Sequence, residues 1–99
     1  MTTEIKNVDG VFTAFLSGRL ETGAAFTCRE DLQPLFDHAD KTVAVDCTNL
    51  EYVSSSGLRI FMELLKQTKT HGGQLKIVNV TDNVRRVFAL TGFDKKFEI

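Results

Sequence analysis

The sequence has no tryptophan, a single proline and only two cysteines among its 99 residues. Cys28 and Cys47 stand far apart, and neither belongs to a cluster with the spacing of metal ligands, so we expect no metal site. No apolar run approaches the roughly 20 residues of a membrane-spanning helix, and the N-terminal residues lack the basic and then apolar order of a signal peptide. These absences predict a soluble, cytoplasmic protein with reduced thiols.

An excess of either charge is absent as well. The 12 basic and 13 acidic residues give a formal net charge of −1. General nucleic-acid binders and membrane-surface binders need a basic excess, so this balance argues against both classes. What is present is a globular composition, 42% hydrophobic with eight phenylalanines, at a length that fits a single domain over residues 1–99. Such a chain has enough apolar surface to form a core.

Hydrophobic periodicity predicts strands that alternate with helices. A hairpin is expected at Asp9 and Gly10, because glycine tolerates the positive φ of tight turns. In the second strand, Phe12, Ala14 and Leu16 are expected to share one face. The predicted strands cover residues 3–8, 11–17, 42–47 and 74–80, a polar turn is expected over residues 48–52, and residues 97–99 add a short edge strand.

Three helices are predicted between these strands, and glycines end the last two of them, at Gly72 and Gly92. Pro34 predicts a kink or a later start in the first helix, because an internal proline costs about 3 kcal/mol. The helices cover residues 22–40, 55–70 and 83–90, and Thr22 and Asp82 are the expected N-caps of the first and the third. The side chains expected to face inward are, in the first helix, Ala25, Cys28, Leu32, Phe36 and Ala39; in the second, Leu58, Phe61, Met62 and Leu65; and in the third, Val84, Val87, Phe88 and Leu90.

The resulting order is β-β-α-β-α-β-α-β. Strands joined through helices imply right-handed parallel crossovers, whereas the opening hairpin is antiparallel. The prediction is therefore an α/β fold with a single mixed, mostly parallel β-sheet and helices packed on it.

Three consecutive serines stand out, at the start of the second helix. With Ser54 as the N-cap, Ser55 and Ser56 occupy the first turn, where free backbone N–H groups and the helix dipole favour an anion. A phosphoryl group on Ser55 would therefore change the surface and leave the fold intact. The alternative is that the three serines only solvate the helix start.

Two further side chains on this helix leave a choice open. Ile60 and Leu64 flank its inward stripe on the helical wheel. Partly exposed, they would form with the serines a mixed polar and apolar patch suited to a protein partner. The alternative is that the helix is buried over a wide arc.

Catalytic signals are weak. His38 and His71 lie on different helices without a visible partner, and neither a phosphate-binding glycine loop nor the G-x-S-x-G motif occurs. A serine nucleophile would need a base, for which Asp46 or Glu21 at strand ends would be the candidates, and a carboxylate alone activates serine poorly. We expect a protein that is not an enzyme and needs no cofactor.

Five segments resemble the STAS domain (sulfate transporter and anti-sigma factor antagonist), and in particular its short, free-standing anti-sigma factor antagonists. Residues 52–58 are similar to the phosphorylation motif Y-[IVM]-D-S-[STA]-G-L. Residues 16–21 and 43–46 resemble the L-x-G-x-L-D block and the central strand that ends in Asp. Residues 72–75 and 84–93 resemble the later glycine-containing blocks. The order and spacing of all five carry the resemblance.

The resemblance implies a nearly parallel sheet and a regulatory protein of the bacterial cytoplasm. Unphosphorylated members bind an anti-sigma factor, often an ATP-dependent serine protein kinase, and so free a sigma factor. The kinase phosphorylates the motif's serine, and a metal-dependent PP2C-type phosphatase restores binding. That serine matches Ser55, with Ser56 as the second choice. The partner-binding surface is expected at Glu21, Ser54, Ser55, Ser56, Gly57, Arg59 and Ile60.

The chain also departs from the motif. Ser54 stands where the family has Asp beside the acceptor serine, and Glu21 replaces the later Asp of the L-D block. Arg59 lies one helical turn beyond the serines, where a guanidinium is suited to pair with phosphate; the alternative is a solvent-facing arginine without a specific role. The missing Asp keeps a second function open, a STAS scaffold that is not phosphorylated and docks on the ATPase of a lipid-transport ABC complex.

Overall fold

The computed structural model describes residues 1–97. Two strands open the chain, and helices then alternate with two further strands, as the periodicity predicts. The strands are β1 (Thr2–Val8), β2 (Val11–Leu20), β3 (Thr42–Val53) and β4 (Gln74–Val78); the helices are α1 (Ala25–Asp31), α2 (Gln33–Asp37), α3 (Ser55–His71) and α4 (Asp82–Thr91), with 3₁₀ turns at Thr22–Ala24 and Phe93–Lys95.

The four strands form one mixed sheet in the order β1-β2-β3-β4. β1 pairs with β2 antiparallel, and β2, β3 and β4 run parallel to one another. The hairpin turn is at Asp9 and Gly10, which both have positive φ, 51° and 87°. The predicted fold class is therefore confirmed. Of the predicted last strand at residues 97–99, Phe97 is outside any strand, and the other two positions lie outside the described residues.

All four helices cover one face of the sheet. Alternate residues of β2 and β3, such as Ala14, Leu16 and Val45, are buried in the same cluster as side chains from every helix, whereas Phe15 and Asp46 on the opposite face are only half-buried. The predicted inward face of β2 is confirmed. The helical part of this cluster contains Cys28, Leu32, Leu35, Leu58, Ile60, Phe61, Leu64, Val84 and Phe88.

The first predicted helix is in fact two short helices. α1 ends at Asp31, and Pro34 lies in the first turn of α2, where its missing N–H costs no hydrogen bond. The expectation of a break at Pro34 is confirmed, but that of Thr22 as N-cap is wrong, because Glu21 precedes the 3₁₀ turn without a side-chain cap. The break also resets the helical period, so Leu35 is fully buried where Phe36 was expected.

Strand β3 is longer than predicted. Residues 48–52 form no turn, because β2 continues to Leu20 and supplies a parallel partner as far as Val53. In contrast β4 ends early, at Val78, because Asn79 takes a left-handed conformation with φ of 56°.

The last helix differs from its prediction at two positions. Thr81 caps α4, since its hydroxyl accepts a hydrogen bond from the Val84 N–H at 3.4 Å, and Asp82 is the first helical residue. Leu90 is 81% exposed, so its assignment to the inward face is wrong. Leu90 lies two residues after Phe88, which is fully buried, and that separation places the two side chains on opposite sides of a helix.

Candidate functional site

The start of α3 is built from a short capped turn directly after β3. Ser54 is extended (φ −82°, ψ 168°), and its Oγ accepts a hydrogen bond from the Gly57 N–H at 3.2 Å. The Leu58 N–H donates to the Ser54 carbonyl at 2.9 Å and begins the helical ladder. Ser54 is therefore the N-cap, as the sequence predicted.

Ser54, Ser55 and Ser56, which we call the serine site, differ in exposure. Ser54 is only 6% exposed, Ser55 is exposed, and Ser56 is half-buried. The helix that follows has 17 residues, so its dipole places partial positive charge at these residues. Ser55 is thus the serine whose hydroxyl is most accessible to another protein.

Gly57 allows the helix to start close to the sheet. A Cβ on this residue would lie 2.7 Å from two carbon atoms of Leu20 and 2.9 Å from Val53 Cγ2. Both neighbours are completely buried, so neither side chain has space to move away. The motif needs glycine here for this close packing.

The end of β2 is tied to the serine site. The Ser54 N–H donates to the Leu20 carbonyl at 2.8 Å. The next residue, Glu21, is exposed and accepts a hydrogen bond from Arg19 Nε at 2.7 Å. That hydrogen bond raises the pKa of Arg19, whose guanidinium also lies 4.6 Å from the centre of the Tyr52 ring. Glu21 therefore lies next to the serine site, because it directly follows Leu20, and its carboxylate is held by Arg19.

The exposed face of α3 does not include the two apolar side chains that could have contacted a partner. Ile60 is 6% exposed and Leu64 is fully buried. Of the two alternatives from the sequence, burial over a wide arc is therefore confirmed, and Ile60, which was expected to contact a partner, is buried in the core. Arg59 is exposed and forms no ion pair within residues 1–97.

The two carboxylates considered as bases are both engaged elsewhere. Asp46 accepts hydrogen bonds from Thr48 at 2.9 Å and 2.6 Å and from Asn79 Nδ2 at 2.9 Å. Desolvation raises the pKa of Asp46, but these hydrogen bonds outweigh it and hold the pKa below its ordinary value. Since Glu21 pairs with Arg19, neither carboxylate is hydrogen-bonded to a serine of the site.

The histidines have local partners. His38 stacks on Phe12 with ring centres 4.0 Å apart and lies 2.7 Å from the Pro34 carbonyl oxygen, while His71 contacts Gln67. Among the described residues there is no group of three or more potential metal-ligating side chains. No helix within residues 1–97 combines the length and the apolar character needed to cross a bilayer.

Sequence patterns missed the contribution of Arg19 and Tyr52 to this surface. The two residues are register partners on β2 and β3. A strand ending at residue 17 and a turn over residues 48–52 gave no reason to pair them. The extended pairing places both beside the serine site, because the carboxyl ends of parallel strands share one edge of the sheet.

The model of the STAS domain family matches residues 2–99. The chain belongs to the STAS domain family. The anti-sigma-B factor antagonist of Bacillus subtilis is 28% identical over 97 residues, which are 97% of this chain and 87% of that protein. The family resemblance inferred from the sequence is thereby confirmed.

Solved structures agree on the fold. A crystal structure of an anti-sigma factor antagonist from Mycobacterium paratuberculosis superposes with a TM-score of 0.83 at 25% identity, over 97% of this chain and 81% of the other. The Bacillus cell fate determinant SpoIIAA in its phosphorylated form superposes with a TM-score of 0.71 at 19% identity, over 95% and 86% of the chains. The Bacillus subtilis relative and the Mycobacterium paratuberculosis structure are both named as anti-sigma factor antagonists.

Proposed function

We propose that this STAS protein is an anti-sigma factor antagonist controlled by phosphorylation of Ser55. In its unphosphorylated form it binds an anti-sigma factor of the serine-kinase type and frees a sigma factor; phosphorylation releases the anti-sigma factor, and a PP2C-type phosphatase restores binding. The observation that carries the proposal is the exposed Ser55 in the first turn of a long helix, directly after the buried cap Ser54.

The helix start is suited to a phosphoserine. A phosphoryl group adds about −1.5 to −2 charge at neutral pH. At Ser55 this charge faces the free N–H groups of the first turn, which favour an anion. Arg59, one turn further on and exposed, supplies a guanidinium for a charge-assisted hydrogen bond. Phosphorylation therefore changes the surface that a partner meets while the helix stays formed.

Exposure ranks the two candidate acceptors. The Ser55 side chain is exposed, whereas Ser56 is half-buried. A kinase has to surround the acceptor hydroxyl, so the more exposed serine is the better substrate. We assign Ser55 as the acceptor and keep Ser56 as the second candidate.

The residues expected to bind the partner divide into exposed side chains and buried ones. Glu21, Ser55 and Arg59 are exposed, and Ser56 is half-buried. Ser54, Gly57 and Ile60 are buried and shape the partner-binding surface from below. We therefore place the partner contacts at Glu21, Ser55, Ser56 and Arg59.

The family comparisons support the proposal. The curated relative is named for antagonism of an anti-sigma factor, and SpoIIAA, which has the same fold, has been solved in a phosphorylated form. The position that matches the motif's acceptor serine is occupied by serine here.

The deciding experiment is phosphopeptide mass spectrometry of the protein isolated from its native host, over residues 52–66. We expect phosphate on Ser55. Binding to the host's anti-sigma factor is then measured for the wild type, for Ser55→Ala and for Ser55→Asp. The alanine variant should retain binding, and the aspartate variant should lose it by at least about tenfold, since an added charge disrupts a docked interface. Equal affinities for phosphorylated and unphosphorylated protein would refute the switch.

A second candidate function has one specific observation in its favour. Ser54 replaces the Asp that precedes the acceptor in the motif, so no carboxylate of this turn assists a kinase. A constitutive STAS scaffold that docks on the ATPase of a lipid-transport ABC complex fits that departure. Complete coverage of residues 52–66 without phosphate, together with co-purification of an ATPase subunit, would favour this function over the switch.

A further inference from the structure

Strand β4 is an open edge of the sheet within residues 1–97. It pairs with β3 along its whole length, from Gln74 opposite Thr42 to Val78 opposite Asp46. No described strand lies on its other side. An edge of this kind presents unpaired backbone N–H and C=O groups, which another extended chain can satisfy.

A groove of about 440 Å³ runs along this edge, between β4, the second half of α3 and the end of the described chain. Its apolar lining consists of Leu65, Leu75, Ile77, Val78 and Phe97. Each of these side chains is at least partly buried, so packed apolar side chains line the groove beside the outer backbone edge of β4. Apolar side chains on alternate residues of an added strand would fit against this lining.

The groove carries charge of a single sign. Lys69, Lys76 and Lys96 line it, all three are exposed, and none of the described lining residues is acidic. None of these lysines forms an ion pair with a side chain that the structure describes. The groove is therefore a local basic surface on a protein with a formal net charge of −1.

The positive charge of the groove indicates which kind of strand can pair with β4. A second copy of this chain that paired edge to edge through β4 would bring lysines against lysines, and lysine on an edge strand disfavours such self-pairing. A strand with acidic residues would instead gain complementary charge along the same edge.

We propose that β4 and this groove form a docking site for an extended acidic segment of another protein, which adds as a further strand beside β4. Main-chain hydrogen bonds to β4 supply the backbone pairing. Alternate apolar side chains contact Leu75 and Phe97, the intervening carboxylates lie on the other face of the added strand and pair with Lys76, and Lys69 and Lys96 attract the acidic segment at longer range. The groove shares no lining residue with the serine site, so this interaction does not depend on the proposed function of Ser55.

The test uses a six-residue peptide of alternating Glu and Val with blocked ends, and a control peptide with Lys in place of Glu. Each is titrated into the isotope-labelled protein and followed by amide NMR. We expect only the acidic peptide to shift the amides of Gln74–Val78 and to slow their hydrogen exchange. Binding should also weaken with added salt.

Variants locate the site. Lys76→Glu should weaken binding about tenfold and Lys69→Glu by a smaller factor, because each replaces an attractive charge with a repulsive one and only Lys76 is on the face of the intervening carboxylates. Lys66→Glu makes the same charge change at an exposed position on α3 outside the groove and should leave the affinity within about twofold. Circular dichroism checks that all three variants fold.

Other results would overturn the proposal. Equal binding of the acidic and basic peptides, an equal loss in Lys66→Glu, or chemical shift changes centred on the serine site would each do so. So would a dimer in sedimentation experiments that Lys76→Glu alters, because the edge would then pair with a second copy.

Discussion

Replacing Gly57 with alanine tests how closely α3 is packed on the sheet. The added methyl group would lie 2.7 Å from Leu20 Cγ and 2.9 Å from Val53 Cγ2, well inside normal contact distance. Leu20 and Val53 are completely buried in the core, so relieving the clash requires a shift of the helix or of two strand ends.

The expected size follows from two opposing effects. Overpacking a well-packed core costs about 1–3 kcal/mol. Alanine recovers up to about 1 kcal/mol of helix propensity relative to glycine. The net loss in the free energy of unfolding for Gly57→Ala is therefore about 1–2 kcal/mol, which lowers Tm by roughly 5–15 °C for a domain of this size.

Thermal and urea unfolding measure this loss, with Gly23→Ala as the matched control. A Cβ at Gly23 meets nothing within 4 Å, and the backbone there is not left-handed, so this variant should gain stability. Combining Gly57→Ala with Leu20→Ala should reduce the penalty of the glycine substitution, because the smaller neighbour removes the two closest contacts of the methyl group. A Gly57→Ala protein as stable as the wild type would refute the packing argument.

Three substitutions and one chemical modification test electrostatics and burial. Ser55→Asp, in the first turn of α3, should leave Tm unchanged or higher, whereas Thr70→Asp in the last turn should cost about 0.3–1 kcal/mol; equal shifts would contradict the dipole argument. Asp46 has a lowered pKa, so the stability it contributes is present above the unfolded pKa near 4 and is lost as pH falls through the folded pKa. The deficit of Asp46→Asn in urea unfolding should therefore shrink between pH 5 and pH 3, and a constant deficit would speak against this role. Burial raises the pKa of Cys28 to about 11 and of Cys47 to about 12, so iodoacetamide at pH 8 should modify both thiols in urea and neither in the folded protein within the same time.

Local signals in the sequence were sufficient for part of the fold. Asp9 and Gly10 mark the hairpin, and Gly72 ends α3 with φ of 83°. The serine motif likewise located the helix start and its cap, because a cap depends on residues within one turn.

Features that depend on distant partners were missed. The polar residues from Thr48 to Glu51 indicate a turn when taken alone, and they extend β3 only because β2 lies beside them. The ring of Tyr52 meets Arg19 for the same reason. Ile60 stayed ambiguous because a helical wheel gives the direction of a side chain and not the width of the surface packed against it.

The cap residue Ser54 is held at three points, by Leu20, Gly57 and Leu58. The neighbouring Ser55 is therefore presented by a turn that is already formed before any partner arrives. Docking on such a turn costs this chain little conformational entropy, so the available contact energy appears as affinity. It also involves no refolding step, and the response time of a switch built here is set by transfer of the phosphoryl group and exchange of partners.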